Sequence, residues 1–383
     1  MNFIDRISKE QAELSANGQL RILRETATLP HGEAEFNGRI FANFSGNDYL
    51  GLAGDAELKQ EFFARIADNP PVMAATGSRL LGGSHHGFTE LEATLERHYN
   101  KAALAFNSGY HANIGILPAL TNRDSVVLSD KLNHASIIDG LRLCEGGYKR
   151  YKHLDYKHLE HLLQQSVLEN QQAFIVSESI FSMDGDTADL AELVRLKKQY
   201  NAVLVIDEAH SVGVCGEQGL GLCHHLNLLD EVDVMVGTFG KAFGSMGSYC
   251  ITSQLLKEYL INHMRSFIFS TALPPIVAMW SKFIFEKQLT MNARRIKLHK
   301  LGEALRQVIT RHGYSTLGNS QIVPLIVGEN RAALDLAEKF RAAGLLVFAV
   351  RPPTVPQSTA RLRFSLNAAQ SENVIERIGD MLK

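Results

Sequence analysis

The run Val203-Leu-Val-Ile-Asp-Glu-Ala-His210 decides how this chain folds. Four successive apolar residues, three of them β-branched, leave no polar alternation, which reads as a strand buried on both faces inside a parallel sheet. The run ends on Asp207, and a carboxylate delivered by a buried strand is costly unless something pairs with it. In open α/β sheets ligands gather where the carboxyl ends of the strands and their loops converge. Asp207 and His210 are therefore the first candidates for a site.

Outward from this run the same pattern recurs. Ser125 to Leu128, Ala173 to Ser177 and Val232 to Val236 read as further strands, alternating with helical stretches. The alternation predicts a large α/β domain over 51–280, a mainly parallel sheet covered by helices. Residues 1–50 read as an amphipathic helix and a hairpin turned at Asn37-Gly38, with Ile40, Ala42 and Phe44 along one face. Residues 281–383 predict a smaller α+β domain. Its elements are a short buried strand at Ile322 to Val327, a helix from Arg331 to Ala343 stopped by Gly344, a strand Leu345 to Val350, and a closing helix with Val374, Ile375, Ile378, Met381 and Leu382 on one face.

At 383 residues the chain exceeds the usual size of one core, and 45% hydrophobic with 21% charged residues is an ordinary globular balance. The 39 basic and 41 acidic residues form no basic stripe, which argues against nucleic acid as a partner. Cys144, Cys215, Cys223 and Cys250 make no Cys-x-x-Cys pair, so a reducing cytoplasm is expected. No signal peptide is expected in the charged N-terminus, and no apolar run has the length of a membrane span. His158 and His161 share a predicted helix face without a nearby acidic or cysteine ligand set, and His85-His86 and His224-His225 are adjacent pairs without metal-site spacing, so no metal is expected.

Lys241 lies in Gly237-Thr-Phe-Gly-Lys-Ala-Phe-Gly244, just after the Val232 to Val236 strand, where small neighbours let a cofactor approach the backbone. On its own it reads as a surface turn lysine. With Asp207 it suggests pyridoxal phosphate held as a Schiff base: Asp207 would keep the pyridine nitrogen protonated, and His210 would hydrogen-bond the phenolic oxygen. Ala105-Phe-Asn-Ser-Gly-Tyr-His111 offers a phosphate turn, with Ser108 and Gly109 opening a helix from about Tyr110. Thr238 and Ser182 supply hydroxyls near strand ends, and His134 could stack on a planar ring. Asp207-Glu-Ala-His210 also spells the nucleotide-hydrolysis box of a DEAH helicase, but Ala242 follows Lys241 where a phosphate loop needs Ser or Thr, and the stretch lies downstream of the box.

Six motifs taken together carry a resemblance: Asn47-Asp-Tyr-Leu-Gly-Leu52, Phe106-Asn-Ser-Gly-Tyr110, Asn133-His-Ala-Ser136, Phe181-Ser-Met-Asp-Gly-Asp186, Asp207-Glu-Ala-His210 and Thr238-Phe-Gly-Lys241. In this order they are similar to the α-oxoamine synthases, over nearly the whole chain. The resemblance implies a pyridoxal-phosphate transferase fold of the aspartate-aminotransferase type and a homodimer with shared active sites, Ser270 and Thr271 reaching the neighbouring subunit's cofactor phosphate. It implies Lys241, His134 and Asp207 as catalytic residues, and Ser108, Gly109, Tyr110, His134, Ser182, His210 and Thr238 around the cofactor. Arg351-Pro-Pro-Thr-Val-Pro356 with Thr359-Ala-Arg-Leu-Arg363 resembles the branch that condenses L-alanine with a pimeloyl thioester, carried on coenzyme A or a carrier protein, in biotin synthesis. Branches using glycine or serine, of the glycine C-acetyltransferase and serine palmitoyltransferase types, are the alternatives. Arg21, Asn47, His134, Arg351, Thr354 and Arg363 are the implied substrate contacts, with Arg363 on the amino-acid carboxylate. The family's His-x-x-Leu-Glu is replaced by Phe88-Thr-Glu-Leu-Glu92, which leaves His85 or His86 as a possible substitute, and its Asn-Asp becomes Leu154-Asp155.

Overall fold

The computed structural model describes residues 2–383. The chain forms two compact units, one of residues 48–182 and 186–296, the other of residues 1–47, 183–185 and 297–383.

The larger unit is built on a seven-stranded sheet in the order Ala102–Phe106, Ser248–Thr252, Val234–Thr238, Val203–Asp207, Gln172–Glu178, Ser125–Asp130, Gly147–Tyr151. Val203–Asp207 lies at the centre, parallel to both neighbours, and Leu204, Val205 and Ile206 are buried, as its unbroken apolar run requires. Each such side chain contributes roughly 1.5–3 kcal/mol on burial. Ser248–Thr252 runs antiparallel to both of its neighbours, so the sheet is mixed at that position. The glycine-rich Gly244-Ser-Met-Gly247 ahead of it hides a strand signal that five residues are too short to carry alone.

Helices Gly109–Leu120 and Ala135–Leu143 pack against each other beside this sheet. Their close approach depends on Gly140: a Cβ there would stand 2.5 Å from the carbonyl oxygen of Asn113, closer than any side chain tolerates. The apolar core beneath them joins Ile116, Ile137 and Leu141 to Val127, Val205 and Val236 of the sheet.

The smaller unit carries two sheets. One orders Thr26–Leu29, Glu33–Phe36, Arg39–Asn43 and Leu345–Leu346; the other orders Ile322–Gly328, Ala360–Ser365 and Ala349–Val350. Two expectations need correction here. The run Leu345 to Val350 is not one strand: its first two residues pair in parallel with Arg39–Asn43, and its last two pair antiparallel with Ala360–Ser365. Within the hairpin, Phe41 is buried and Ile40 is exposed, so the inward face is the opposite one near the turn, and Phe44 rejoins the core after the strand ends. The amphipathic helix Phe3–Ala16 buries none of its residues.

Candidate active site

The carboxyl ends of the central strands bring the chemistry together. Asp207 closes its strand with its carboxylate buried; Oδ2 accepts from Asn113 Nδ2 at 2.7 Å and Oδ1 from the Ala209 N–H at 2.8 Å. His210, three residues on, lies between two side chains: Lys241 Nζ is 2.9 Å from its Nε2, and the Tyr49 hydroxyl is 2.6 Å from its Nδ1. An ammonium donating to Nε2 leaves the proton of a neutral imidazole on Nδ1, facing Tyr49. Thr238 ends the next strand, and its hydroxyl donates to the Gly247 carbonyl and accepts from the Gly240 N–H, which shapes the turn that presents Lys241.

His134 caps the helix Ala135–Leu143. Its Nδ1 accepts the Ser136 N–H at 3.2 Å and faces the Ser136 hydroxyl at 2.7 Å; that hydroxyl oxygen already accepts from Asn113 Nδ2, so its proton points at Nδ1. The imidazole therefore carries its own proton on Nε2. Partial burial, helped by the nearby Lys241, holds it below the ordinary histidine pKa while one side stays open to solvent. A neutral ring of this kind suits stacking better than a cation does.

Ser108 caps the helix Gly109–Leu120, its Oγ accepting the His111 N–H. A Cβ on Gly109 would meet nothing within 4 Å, so the space before this helix end is open. An open twelve-residue helix N-terminus is an anion site in the making. Tyr110 turns its hydroxyl toward Asp139 and keeps its ring half exposed. Thr271 pairs with Ser78 and accepts Asn107 Nδ2 on its carbonyl at 2.5 Å; Ser270 precedes it, beside the exposed Phe269. Ser182 follows the buried Phe181 in the loop after Gln172–Glu178. His85 packs its ring on Phe88 at 4.5 Å and lies 3.3 Å from the Leu273 carbonyl, whereas His86 is exposed and pairs with Glu90.

Glu178 is a buried carboxyl beside these residues that the sequence reading passes over. It ends the strand beside Asp207, fully buried, and its Oε1 accepts the His134 N–H at 2.6 Å. Burial, with the Asp207 charge next to it, pushes this carboxyl well above the usual range. The rule that singled out Asp207, a carboxylate on the end of an apolar strand, applies to it equally. Asn113 and Ser136 had no such signal, being polar residues on buried helix faces.

The smaller unit holds the arginines. Arg363 donates to Asn47 Oδ1 at 3.2 Å, and Arg21 donates to the Thr354 hydroxyl at 3.2 Å. Arg21, Thr354 and Arg351 line one cavity of about 340 Å³ with Arg24, Met183 and Val350. Burial and the two neighbouring guanidiniums, Arg24 and Arg21, lower the pKa of Arg351. Three cations around an apolar floor suit a carboxylate on an aliphatic chain. Arg24 is a second residue that the motifs did not single out.

These residues fit pyridoxal phosphate: a buried carboxylate for the pyridine nitrogen, a neutral imidazole with an open side for the ring, an amine beside a histidine, and an open helix N-terminus for the phosphate. The chain belongs to the aminotransferase class I and II family, whose model matches residues 39–380. Asp207-Glu-Ala-His210 is accordingly part of a pyridoxal-phosphate fold, not a helicase box. Within the family the chain is similar to 8-amino-7-oxononanoate synthase of Chlorobaculum parvum, 47% identical over 384 residues that cover 99% of this chain and 98% of the relative. Among solved structures it resembles SPT with PLP (TM-score 0.91, 27% identity, 100% of this chain and 98% of that one). It also resembles 8-amino-7-oxononanoate synthase from Francisella tularensis (TM-score 0.76, 26% identity, 89% and 96%).

Proposed function

We propose that this chain condenses L-alanine with a pimeloyl thioester to give 8-amino-7-oxononanoate, carbon dioxide and the free thiol carrier, with pyridoxal phosphate bound through Lys241. The observation that carries this reading is Lys241 Nζ lying 2.9 Å from His210, with Asp207 buried at the end of the adjoining strand. Pyridoxal phosphate, when bound, supplies the electron sink that allows an α-carbon to lose a proton and a carboxylate to leave.

The chain's own residues do the rest. Asp207, oriented by the Asn113 donor, would pair with the ring nitrogen, and His210, backed by the Tyr49 hydroxyl, would bond the phenolic oxygen. Ser108, Gly109, Tyr110, Ser182 and Thr238 take the cofactor's periphery, and Ser270 and Thr271 reach the phosphate of a second subunit in a cytoplasmic homodimer. The Lys241 amine would accept the alanine α-proton. Arg363, with Asn47 beside it, binds the alanine carboxylate through a planar two-point contact. Arg21, Arg351 and Thr354 hold the far carboxylate of the pimeloyl chain.

Borohydride reduction of the protein should attach the cofactor to the peptide containing Lys241, and Lys241→Ala should abolish the attachment. Thiol release from pimeloyl-CoA should require alanine and be far slower with glycine or serine. Preference for serine with a long acyl thioester would replace the substrate assignment by the serine palmitoyltransferase type, and the absence of cofactor on Lys241 would overturn the reading altogether.

A further inference from the structure

His153 lies in the loop after the strand Gly147–Tyr151, outside the residues assigned above, and joins the loops on either side. Its Nδ1 is 2.9 Å from Asp130 Oδ1 and its Nε2 is 2.7 Å from Asp186 Oδ2. Both ring nitrogens face carboxylate oxygens, and both can donate only if the ring is an imidazolium. A neutral ring would set one lone pair against a carboxylate.

The two carboxylates shape the loops that carry site residues. Asp130 ends the strand Ser125–Asp130, with its side chain buried; Oδ1 also accepts the Leu132 N–H at 2.8 Å and Oδ2 the Leu154 N–H at 3.0 Å. It thereby folds the turn that leads to His134. Asp186 accepts the Phe181 N–H on its backbone carbonyl at 3.0 Å, closing the loop that holds Ser182. Phe181 sets its ring edge-on to His153 at 4.5 Å and 88°.

We propose that His153 is a positioning residue: as an imidazolium shared by Asp130 and Asp186 it fixes the loops that present His134 and Ser182 to pyridoxal phosphate, and losing its proton loosens cofactor binding. This rests on the reading of His134 and Ser182 as cofactor contacts. The two carboxylates outweigh partial burial and hold His153 up to about 9. Three more titratable groups interact with Asp130: Tyr151 on the neighbouring strand Gly147–Tyr151, Tyr156 on the helix that follows His153, and Glu178 on the strand Gln172–Glu178. Tyr156 is held up at about 12 and Tyr151 well above its ordinary value, so neither phenol ionises before His153.

The test is the dissociation constant of pyridoxal phosphate from pH about 7 to about 10 for three proteins: wild type, His153→Gln and Asp186→Asn. His153→Gln should bind roughly tenfold more weakly at neutral pH, because a neutral amide replaces two charge-assisted bonds. That gap should close as pH rises through about 9, where wild type loses the same proton. Asp186→Asn offers an amide donor to a neutral Nε2, so its affinity should exceed that of wild type on the alkaline side. A His153→Gln protein with wild-type affinity at neutral pH, or a gap that persists unchanged through the alkaline range, overturns the proposal. If His153→Gln does not fold, Asp186→Asn decides, and a pH dependence matching wild type overturns it. Wild type failing to bind pyridoxal phosphate at all would refute the cofactor reading instead.

Discussion

A carboxylate buried as deeply as Asp207 needs donors, and Asn113 Nδ2 and the Ala209 N–H both reach it. Asn113→Leu keeps the branched side-chain shape and removes one of them, together with the donor to Ser136. Cofactor-free protein should lose about 1–3 kcal/mol in denaturant unfolding; a loss below about 0.5 kcal/mol would mean that the Asn113 bond is dispensable. Glu178, on the neighbouring strand, is the carboxyl whose protonation matters to stability. Its folded-state pKa is raised, so its contribution to stability is full below the unfolded carboxylate value and is lost as pH climbs from there toward the folded one. Glu178→Gln keeps an oxygen for the His134 N–H and cannot ionise. Relative to this variant, cofactor-free wild type should therefore become progressively less stable as pH rises above about 4.5; chemical denaturation at several pH values measures this, and parallel curves would contradict it. Asp207 was legible from sequence because it interrupts an apolar run. Asn113 was not, because its partner is distant in sequence and one polar residue inside a helix says nothing about what it faces.

Among the elements, strands buried on both faces were the most readable, since a continuous run such as Val203–Asp207 admits few other placements. Leu345 to Val350 shows where this reasoning stops. Hydrophobicity records burial and not the sheet in which a residue is buried, so a run that leaves one sheet and joins another looks the same as a single strand. The helix Gly109–Leu120 was placed by the small residues at its start, and its N-terminus provides an element-scale prediction. Because a Cβ on Gly109 meets open space, and its φ is not one that only glycine adopts, Gly109→Ala should fold with unchanged or slightly greater stability. The added methyl would occupy the space assigned to phosphate, so pyridoxal phosphate should bind at least about tenfold more weakly, a 1.4 kcal/mol effect. Thermal melting with cofactor titration separates the two effects. A variant that melts like wild type and binds the cofactor equally well would move the phosphate elsewhere.

At the scale of the whole molecule the resemblance implies something that no single chain displays: a site completed by a second copy. The helix Phe3–Ala16 leaves Phe3, Ile4, Ile7 and Leu14 exposed, and Phe269, next to Ser270, is exposed as well. Such apolar exposure is consistent with association. If Ser270 and Thr271 serve the neighbouring subunit, two defective proteins should repair each other. Lys241→Ala lacks the lysine but keeps the reaching segment; a Ser270→Ala, Thr271→Ala double variant keeps the lysine and lacks the hydroxyls. In a mixed dimer one site collects both defects and the other collects neither. Random pairing of equal amounts makes half the dimers mixed, so activity at limiting cofactor should recover to about a quarter of the wild-type level. The recovery should appear only after the two proteins are unfolded and refolded together or expressed together, and sedimentation should show a species of twice the chain mass. If Ser270 and Thr271 instead completed the site of their own chain, each mixed dimer would hold one site without its lysine and one without its hydroxyls, and co-refolding would leave activity at the average of the two parents.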